Sequence, residues 1–487
     1  MNREDLISIL QQANPWWEKY LPAKELGPDP YSRELWDRFY SLAQEGNLLI
    51  TGPRLAGKSH TIRHLVGRFL VGGMPGQNLC FCDLSIPALR GVKLLEIVQT
   101  WLQSVSTLGE APRRLFLDGV DYHADWQRQL GDLTETGYRF VGTAQTEVCP
   151  DSSDSPEGKQ PFGCQTMQLQ RLTFADYLKV TSRLEKLTEE IGDLKQLFFP
   201  KYYHPKNYHS PLPEWVQGAF HDYLARGIYP GPALAPDVAS GQLMIEQELI
   251  ARTLREDLPA RYQARQAADV EPLMTHLASR EDTVIDLPEA ARELGVKGRQ
   301  SVDNRAELLL KSGLYQRVLP LGYHSTVRRG RDKLLGAHPA IVLSHLRAGG
   351  KFHGNQRLLG PALESAIHLH LLNYFGPPLT SIHYHREAGL KKTGADLVVE
   401  TTEGIVPICL MLGNSRTRAN RMRCFIRLLE RQKMIGAMVI TPTFEDCERI
   451  FTERIDIGQC ALMPAALACL TLSNPNATRQ KIHGLNG

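Results

Sequence analysis

At 487 residues the chain is too long for one core, and ordinary domain sizes predict about three domains. Hydrophobic residues at 42% and charged residues at 22% exclude a disordered or collagen-like chain. Fifty-six Lys+Arg against fifty-three Asp+Glu leave a net charge of +3, which excludes nucleic-acid affinity from the overall field, so any such contact must come from local clustering.

The nine cysteines form no C-x-x-C pair, which predicts reduced, mostly buried thiols in a cytoplasmic protein rather than a zinc site. The start, MNREDLISIL, carries charges where a secretory signal needs an apolar core. No apolar run reaches the roughly 18 residues of a membrane span, so no membrane partner is expected.

In chain order, residues 1–45 read as helices around a proline-rich stretch. NLLI then predicts a buried strand ending in glycine-rich sequence. Further strands are expected at NLCFCDLS, RRLFLD and YRFVGTA, separated by helical patterns such as GVKLLEIVQTWLQSV. Such alternation predicts a mostly parallel sheet flanked by helices, an α/β fold. PDSSDSPEGKQPFG, at 150–163, reads as an exposed loop. From 170 the pattern turns helical, interrupted by the aromatic stretch KYYHPKNYHS, for which packing is the expected role and base stacking the alternative. From 244, the amphipathic helix MIEQELIARTLREDLPARYQ, the helical segments DLPEAARELGV and GRQSVDNRAELLLKSGLY and the hairpin RVLPLGYHSTVRRGRDKLL give the winged-helix order. From about 336 a helix, three strands, an arginine-rich helix and a further strand predict a small α/β unit.

Gly52-x-x-x-x-Gly57-Lys58-Ser59 fits the P-loop pattern between a strand and a helix. Its glycines let the backbone wrap phosphate oxygens at a helix start, where the dipole favours an anion. The expected ATP contacts are Gly52, Pro53, Arg54, Leu55, Ala56, Gly57, Lys58, Ser59 and His60. Lys58 should neutralise the β and γ phosphates, and the Ser59 hydroxyl and Asp118, ending an apolar strand, should hold Mg²⁺. Many P-loop ATPases carry a water-polarising glutamate after that aspartate, and here the residue is Gly119. Asp121 is a candidate replacement, with a solvated loop residue as the alternative. Thr143 is a candidate sensor of the γ-phosphate, or a strand cap.

This order resembles the prokaryotic AAA-type ATPases that join a winged helix to a C-terminal restriction-endonuclease-like domain of unknown function. The resemblance is carried by GPRLAGKS, FLDGVDYHADWQRQL, QLQRLTFADYL and YLARGIYP, of which only the P-loop is a specific motif. It implies an ATPase core over 1–170, a helical lid over 171–243, a winged helix over 244–335 and an endonuclease-like domain over 336–487. It also implies three departures: Gly119 for the glutamate, Cys164 at an arginine's place, and Cys409 and Met411 where the nuclease Glu and Lys belong. Glu364 and Asp396 remain. Magnesium-dependent phosphodiester cleavage needs acidic ligands and a lysine, so nuclease activity is not expected.

Residues 414–433 hold seven cations against Glu430, a net charge of +6. Arg416, Arg418, Arg421 and Arg423 are therefore candidate contacts to a phosphate backbone, with a solvated helix face as the alternative. In the winged helix, Arg299 and Arg305 would lie on the recognition helix, and Arg328, Arg329, Arg331 and Lys333 on the wing. The expectation is an ATP-binding protein with slow or impaired ATPase activity, whose nucleotide state controls binding to DNA or another nucleic acid, or to a protein partner. A competent ATPase using Asp121 and a non-enzymatic docking scaffold stay open beside it.

Overall fold

The computed structural model describes residues 3–18, 33–105, 112–123, 125–145, 163–191, 212–259, 270–280, 283–322, 332–348, 359–375, 381–386, 393–431, 434–455, 457 and 460–473. They fall into two compact units, Met1–Gln170 and Arg171–Gly487. Arg328, Arg329 and Arg331, the stretch 201–210 and most of the 150–163 loop lie outside the described residues.

Among its described residues the first unit has five strands, β1 (Asn47–Thr51), β2 (Leu79–Asp83), β3 (Arg114–Asp118), β4 (Arg139–Ala144) and β5 (Cys164–Gln168). They pair in parallel in the order β2-β3-β4-β1-β5. β1 and β3 are buried along their whole length, as parallel strands covered on both faces must be, which is why they read as apolar runs. β5 carries no such signal. Its sequence CQTMQ leaves Gln165 and Gln168 exposed at the sheet edge.

Among the described residues five helices flank this sheet: α1 (Arg3–Ala13), α2 (Arg33–Glu45), α3 (Lys58–Val71), α4 (Leu94–Ser104) and α5 (Trp126–Glu135). The opposite edge, at β2, is covered from the N-terminal side. The buried Asn14 amide accepts the Phe81 N–H at 2.6 Å and donates to the Phe81 carbonyl at 2.8 Å, as a strand neighbour would. The Trp17 indole donates to the Leu79 carbonyl at 2.8 Å. Backbone groups that would template another strand are thereby satisfied.

The second unit begins with helices α6 (Phe174–Val180), α7 (Leu184–Ile191), α8 (Glu214–Arg226), α9 (Pro230–Ala233) and α10 (Val238–Met244), the last running on into wider π-type turns over Ile245–Asp257. Helices α11 (Glu271–Ala278), α12 (Leu287–Glu293) and α13 (Arg299–Lys311) then precede the antiparallel strands β6 (Tyr315–Pro320) and β7 (Lys333–Gly336). An antiparallel bridge joins Val284 to Lys333. Beyond lie α14 (Pro339–Ala348), α15 (Leu359–Phe375), β8 (Ser381–Arg386), β9 (Thr393–Glu400), β10 (Ile405–Leu410), α16 (Ser415–Arg431), β11 (Met438–Thr441), α17 (Phe444–Thr452), β12 (Ala461–Pro464) and α18 (Ala465–Leu472).

These strands make one sheet, ordered β12-β11-β10-β9-β8-β6-β7. β6 pairs with β8 through Leu319 and His383, so the stretches expected as 244–335 and 336–487 share a sheet. Two apolar clusters lie on its faces. Ile408 and Leu410 of β10 join the one that includes α15 and α18, while Cys409 and Met411 join the one formed with Met422, Phe425 and Leu428 of α16. Among the described residues no helix is long and apolar enough to cross a membrane.

Candidate functional site

The P-loop joins β1 to α3. Leu55 and Gly57 both have left-handed backbones, with φ of 63° and 93°. For glycine this is free, whereas for leucine it is an uncommon, strained conformation of the kind that clusters at binding loops. Alternation of hand along such a loop turns successive N–H groups to one side, the geometry of an anion nest. Gly57 is the cap of α3, and no side chain caps that helix start. Ala56 is buried, and Lys58 Nζ donates to the carbonyls of Gly52 and Pro53 at 2.8 Å each.

β3 and β4 bring the second half of the site to the same edge. Asp118, 7% exposed, accepts the Thr143 hydroxyl at 2.6 Å and also bonds the Ser59 hydroxyl. Burial pushes its carboxyl above the ordinary value, the two hydroxyls pull it down, Asp83 raises it, and Lys58 lowers it. A buried carboxylate beside a P-loop serine, held by hydroxyls rather than by a cation, has the donor set magnesium takes. The residues present fit Mg·ATP: backbone N–H groups and Lys58 for phosphate, Ser59 and Asp118 for the metal.

Thr143, near the end of β4, is tied to both Asp118 and Gly119. It is wholly buried, and its hydroxyl is engaged on both sides, donating to Asp118 and accepting the Gly119 N–H at 2.7 Å. It orients the carboxylate. Asp121 Oδ2 accepts the Gln145 N–H at 3.3 Å, which ties the turn after β3 to the end of β4. Gly119 itself has φ of 80°, and a Cβ there would lie 2.8 Å from the Tyr122 ring. A glutamate at that position would be strained by the backbone hand and crowded by the ring. Arg54 reaches the Tyr122 hydroxyl at 3.4 Å, and the Arg90 guanidinium lies over the same ring at 5.0 Å from its centre.

In the second unit, Glu364 and Asp396 are brought together, but around internal cations. Lys333, expected on an exposed wing, is 1% exposed and ion-paired to Glu364, and its ammonium also donates to the Asp396 carbonyl at 2.9 Å. Thr283 donates to Glu364 at 2.6 Å. Asp396 is paired with Arg421 and accepts the Leu410 N–H at 2.7 Å. Burial opposes its ionisation, yet Arg421, Lys333 and that N–H outweigh it and hold the carboxyl below its ordinary value, whereas burial raises that of Glu364. Cys409 and Met411 are buried in the apolar cluster beside it, and burial pushes the Cys409 thiol up to about 12. Among the described residues no group of three or more His, Cys, Asp and Glu side chains could hold a metal.

Two of the four arginines expected to contact nucleic acid from α16 are thus turned inward. Arg421 serves Asp396, and Arg418, 7% exposed, forks onto Glu453 and donates to the Gly413 carbonyl at 2.6 Å. A guanidinium already bound to a carboxylate and out of solvent has no reach to a phosphate. Arg416 and Arg423 are exposed, as is Arg299 at the start of α13, while Arg305 is half-buried and donates to the Ser301 hydroxyl at 3.3 Å. Neither the Lys333–Glu364–Asp396–Arg421 cluster nor the nearness of Asp83 to Asp118 is visible in local motifs. The inward turn of Arg418 was signalled by the buried helical stripe Arg418, Met422, Phe425 and Leu428.

Residues 44–178 match the family model of the AAA domain, and residues 217–350 match that of a domain of unknown function, DUF8612. No curated protein matches the sequence. Similar solved structures include the Orc1 protein of Aeropyrum pernix in complex with DNA, at 14% identity and a TM-score of 0.32 over 69% of this chain and 96% of that one. A Walker-type ATPase of Pyrococcus abyssi aligns at 13% identity and a TM-score of 0.38, over 65% and 95%. Cdc6p of Pyrobaculum aerophilum aligns at 12% and 0.26, over 68% and 99%. The family match and the loop geometry, rather than these distant likenesses, make residues 44–178 an AAA-type P-loop ATPase-like domain.

Proposed function

We propose that this chain binds Mg·ATP at residues 52–60 and turns it over slowly, and that nucleotide state sets its affinity for nucleic acid. The observation that carries the nucleotide half is the convergence of Lys58, Ser59, Asp118 and Thr143 on one sheet edge, next to a helix start without a side-chain cap. Magnesium, when bound, supplies charge neutralisation on the β and γ phosphates. The chain's own residues do the rest. Lys58 leaves the Gly52 and Pro53 carbonyls for phosphate oxygens, Ser59 and Asp118 hold the metal, and Thr143 keeps the Asp118 carboxylate in one orientation. Slow turnover is expected from Gly119, because positioning groups supply most of phosphoryl-transfer catalysis and the usual glutamate is absent there.

The nucleic-acid half rests on the exposed Arg416, Arg423 and Arg299, and on the winged-helix order of α11, α12, α13, β6 and β7 with its bridge at Val284. The sheet with Glu364 and Asp396 serves in this reading as a nuclease-like framework without a cutting centre.

Calorimetry with ATP and Mg²⁺, and phosphate release followed over hours, test the first half. Micromolar binding is expected, with turnover far below about one per second, and binding should weaken by about 10- to 100-fold in Lys58→Ala, the loss of charge-assisted hydrogen bonds. No measurable nucleotide affinity would end the proposal. Duplex DNA affinity measured with ATP and with ADP tests the second half, and equal affinities would remove nucleotide control.

A further inference from the structure

We propose that Asp83, at the end of β2, holds the attacking water during ATP hydrolysis in place of the glutamate missing at position 119. The assignment rests on the nucleotide-site reading above and adds a residue to it. β2 and β3 are parallel neighbours, and their register sets Asp83 directly beside Asp118. The two carboxylates leave the sheet at the same edge, close enough for the charge of Asp83 to act on Asp118. The turn that follows Asp83 borders the vacant glutamate position, since a Cβ on Gly119 would lie 3.9 Å from the Ser85 nitrogen.

Asp83 is also held as a positioned acceptor should be. Its Oδ1 takes the Ser85 N–H at 3.0 Å and the Ser85 hydroxyl at 2.6 Å, which fixes the carboxylate plane. Among the described residues its Oδ2 has no hydrogen-bond partner, so one oxygen is anchored and the other is available. Arg90 closes the turn from outside, donating to the Ser85 carbonyl at 3.3 Å while lying over Tyr122. By contrast, Asp121 directs an oxygen to the Gln145 N–H.

In the step assigned to it, Asp83 Oδ2 accepts a hydrogen bond from water. The water oxygen bonds to the γ-phosphorus while the bond from that phosphorus to the β–γ bridging oxygen breaks, its electron pair leaving with ADP. The water proton ends on the released phosphate. An aspartate is one methylene shorter than the usual glutamate and comes from the next strand, so the geometry is compatible with slow turnover.

The test uses the full chain and reads binding as well as turnover. Affinities for Mg·ADP and for Mg·ADP with aluminium fluoride, which mimics the attacked phosphoryl group, are measured by calorimetry for wild type, Asp83→Asn and Asp121→Asn. Asp83→Asn is expected to leave Mg·ADP affinity within about twofold and to weaken the fluoride complex by about tenfold or more, the loss of a charge-assisted hydrogen bond. Asp121→Asn is expected to change neither. Ser85→Ala, which releases the carboxylate without removing it, should give a smaller loss with an unchanged melting temperature. An unaltered fluoride complex in Asp83→Asn, or a loss confined to Asp121→Asn, overturns the assignment, as does a wild type that binds Mg·ADP but gains nothing from fluoride. A wild type without affinity for Mg·ADP overturns instead the nucleotide reading beneath it.

Discussion

Two buried aspartates, Asp118 in β3 and Asp396 in β9, are exposed to nearly the same small extent, 7% and 6%, and have opposite surroundings. Asp118 is held by the hydroxyls of Thr143 and Ser59, with Asp83 beside it, and burial raises its carboxyl. Asp396 is held by Arg421, with the Lys333 ammonium on its carbonyl, and its carboxyl is lowered. A hydroxyl offers a dipole and leaves the negative charge uncompensated, so the carboxylate keeps its attraction for an external cation. A guanidinium supplies the counter-charge from within. In the function proposed above, the first position takes its cation from solution, whereas the second has its cation covalently attached to the fold.

The same substitution at both positions sharpens this contrast most. Asp396→Asn leaves the partly buried Arg421 without its partner, an uncompensated charge that costs up to about 3–5 kcal/mol. Asp118→Asn should do the reverse. Because the folded-state pKa of Asp118 lies above its unfolded value, the ionised form opposes folding near neutral pH, and a neutral isostere should leave stability unchanged or slightly higher. Its cost should appear in magnesium-dependent nucleotide affinity alone. Urea unfolding and calorimetry on the two variants separate these outcomes, and a comparable stability loss in both would erase the distinction.

Acid should discriminate next. His368 and His370 are buried and neutral, each lowered to about 4 from an ordinary 6.5, and His338 is lowered well below 6.5, in each case chiefly by burial. His370 shows why at the level of atoms. Its Nε2 accepts the Phe174 N–H at 2.9 Å and its Nδ1 bonds the Ala366 carbonyl at 2.7 Å, so a second ring proton would face a donor. Groups with depressed folded pKa values add stability that is full above about 6.5 and is lost as pH falls toward 4. The second unit should therefore weaken across that window, with Asp396 adding its own loss at lower pH and the raised Glu364 working in the opposite sense. His370→Gln should flatten the slope of stability against pH by about 1.4 kcal/mol per unit. Melting curves between pH 4 and 7 that run parallel to wild type would contradict this.

The legible part of this molecule is the part whose information is local. The apolar runs of β1 to β4 and the spacing of Gly52, Gly57, Lys58 and Ser59 sit within a few residues of one another, and strand-loop-helix geometry follows from them. β5 was not legible, because an edge strand reading CQTMQ needs neither alternation nor an apolar run once β1 supplies its partner. The ion cluster was not legible either. Lys333, Glu364, Asp396 and Arg421 come from four elements, and nothing near Lys333 distinguishes an exposed wing lysine from one whose strand end is buried under α15. Asp83 is illegible for a related reason, since sequence order points only along β3, while the register of β2 sets a carboxylate beside that strand.

Helix α16 gives the smallest and cleanest test of the comparison, because both kinds of arginine lie on it. Met422, Phe425 and Leu428 fix the buried stripe, with Arg418 one turn earlier, and Arg421 is drawn inward to Asp396. Arg416 and Arg423, two turns apart, share the outer face and are exposed. Each arginine contacting phosphate releases about one counterion from duplex DNA. Arg416→Glu combined with Arg423→Glu should therefore lower the slope of log affinity against log salt by about two and leave the melting temperature in place, because neither side chain is part of the packed interior. Arg421→Ala should do the opposite, lowering the melting temperature by exposing Asp396 to burial without its counter-charge while leaving the salt slope unchanged. If the double reversal leaves the slope unaltered, the outer face of α16 is an ordinary solvated surface. If Arg421→Ala alters the slope in a still-folded protein, the inward arginine has a phosphate contact that its pairing with Asp396 forbids, and the separation of the two kinds of charge along this helix fails.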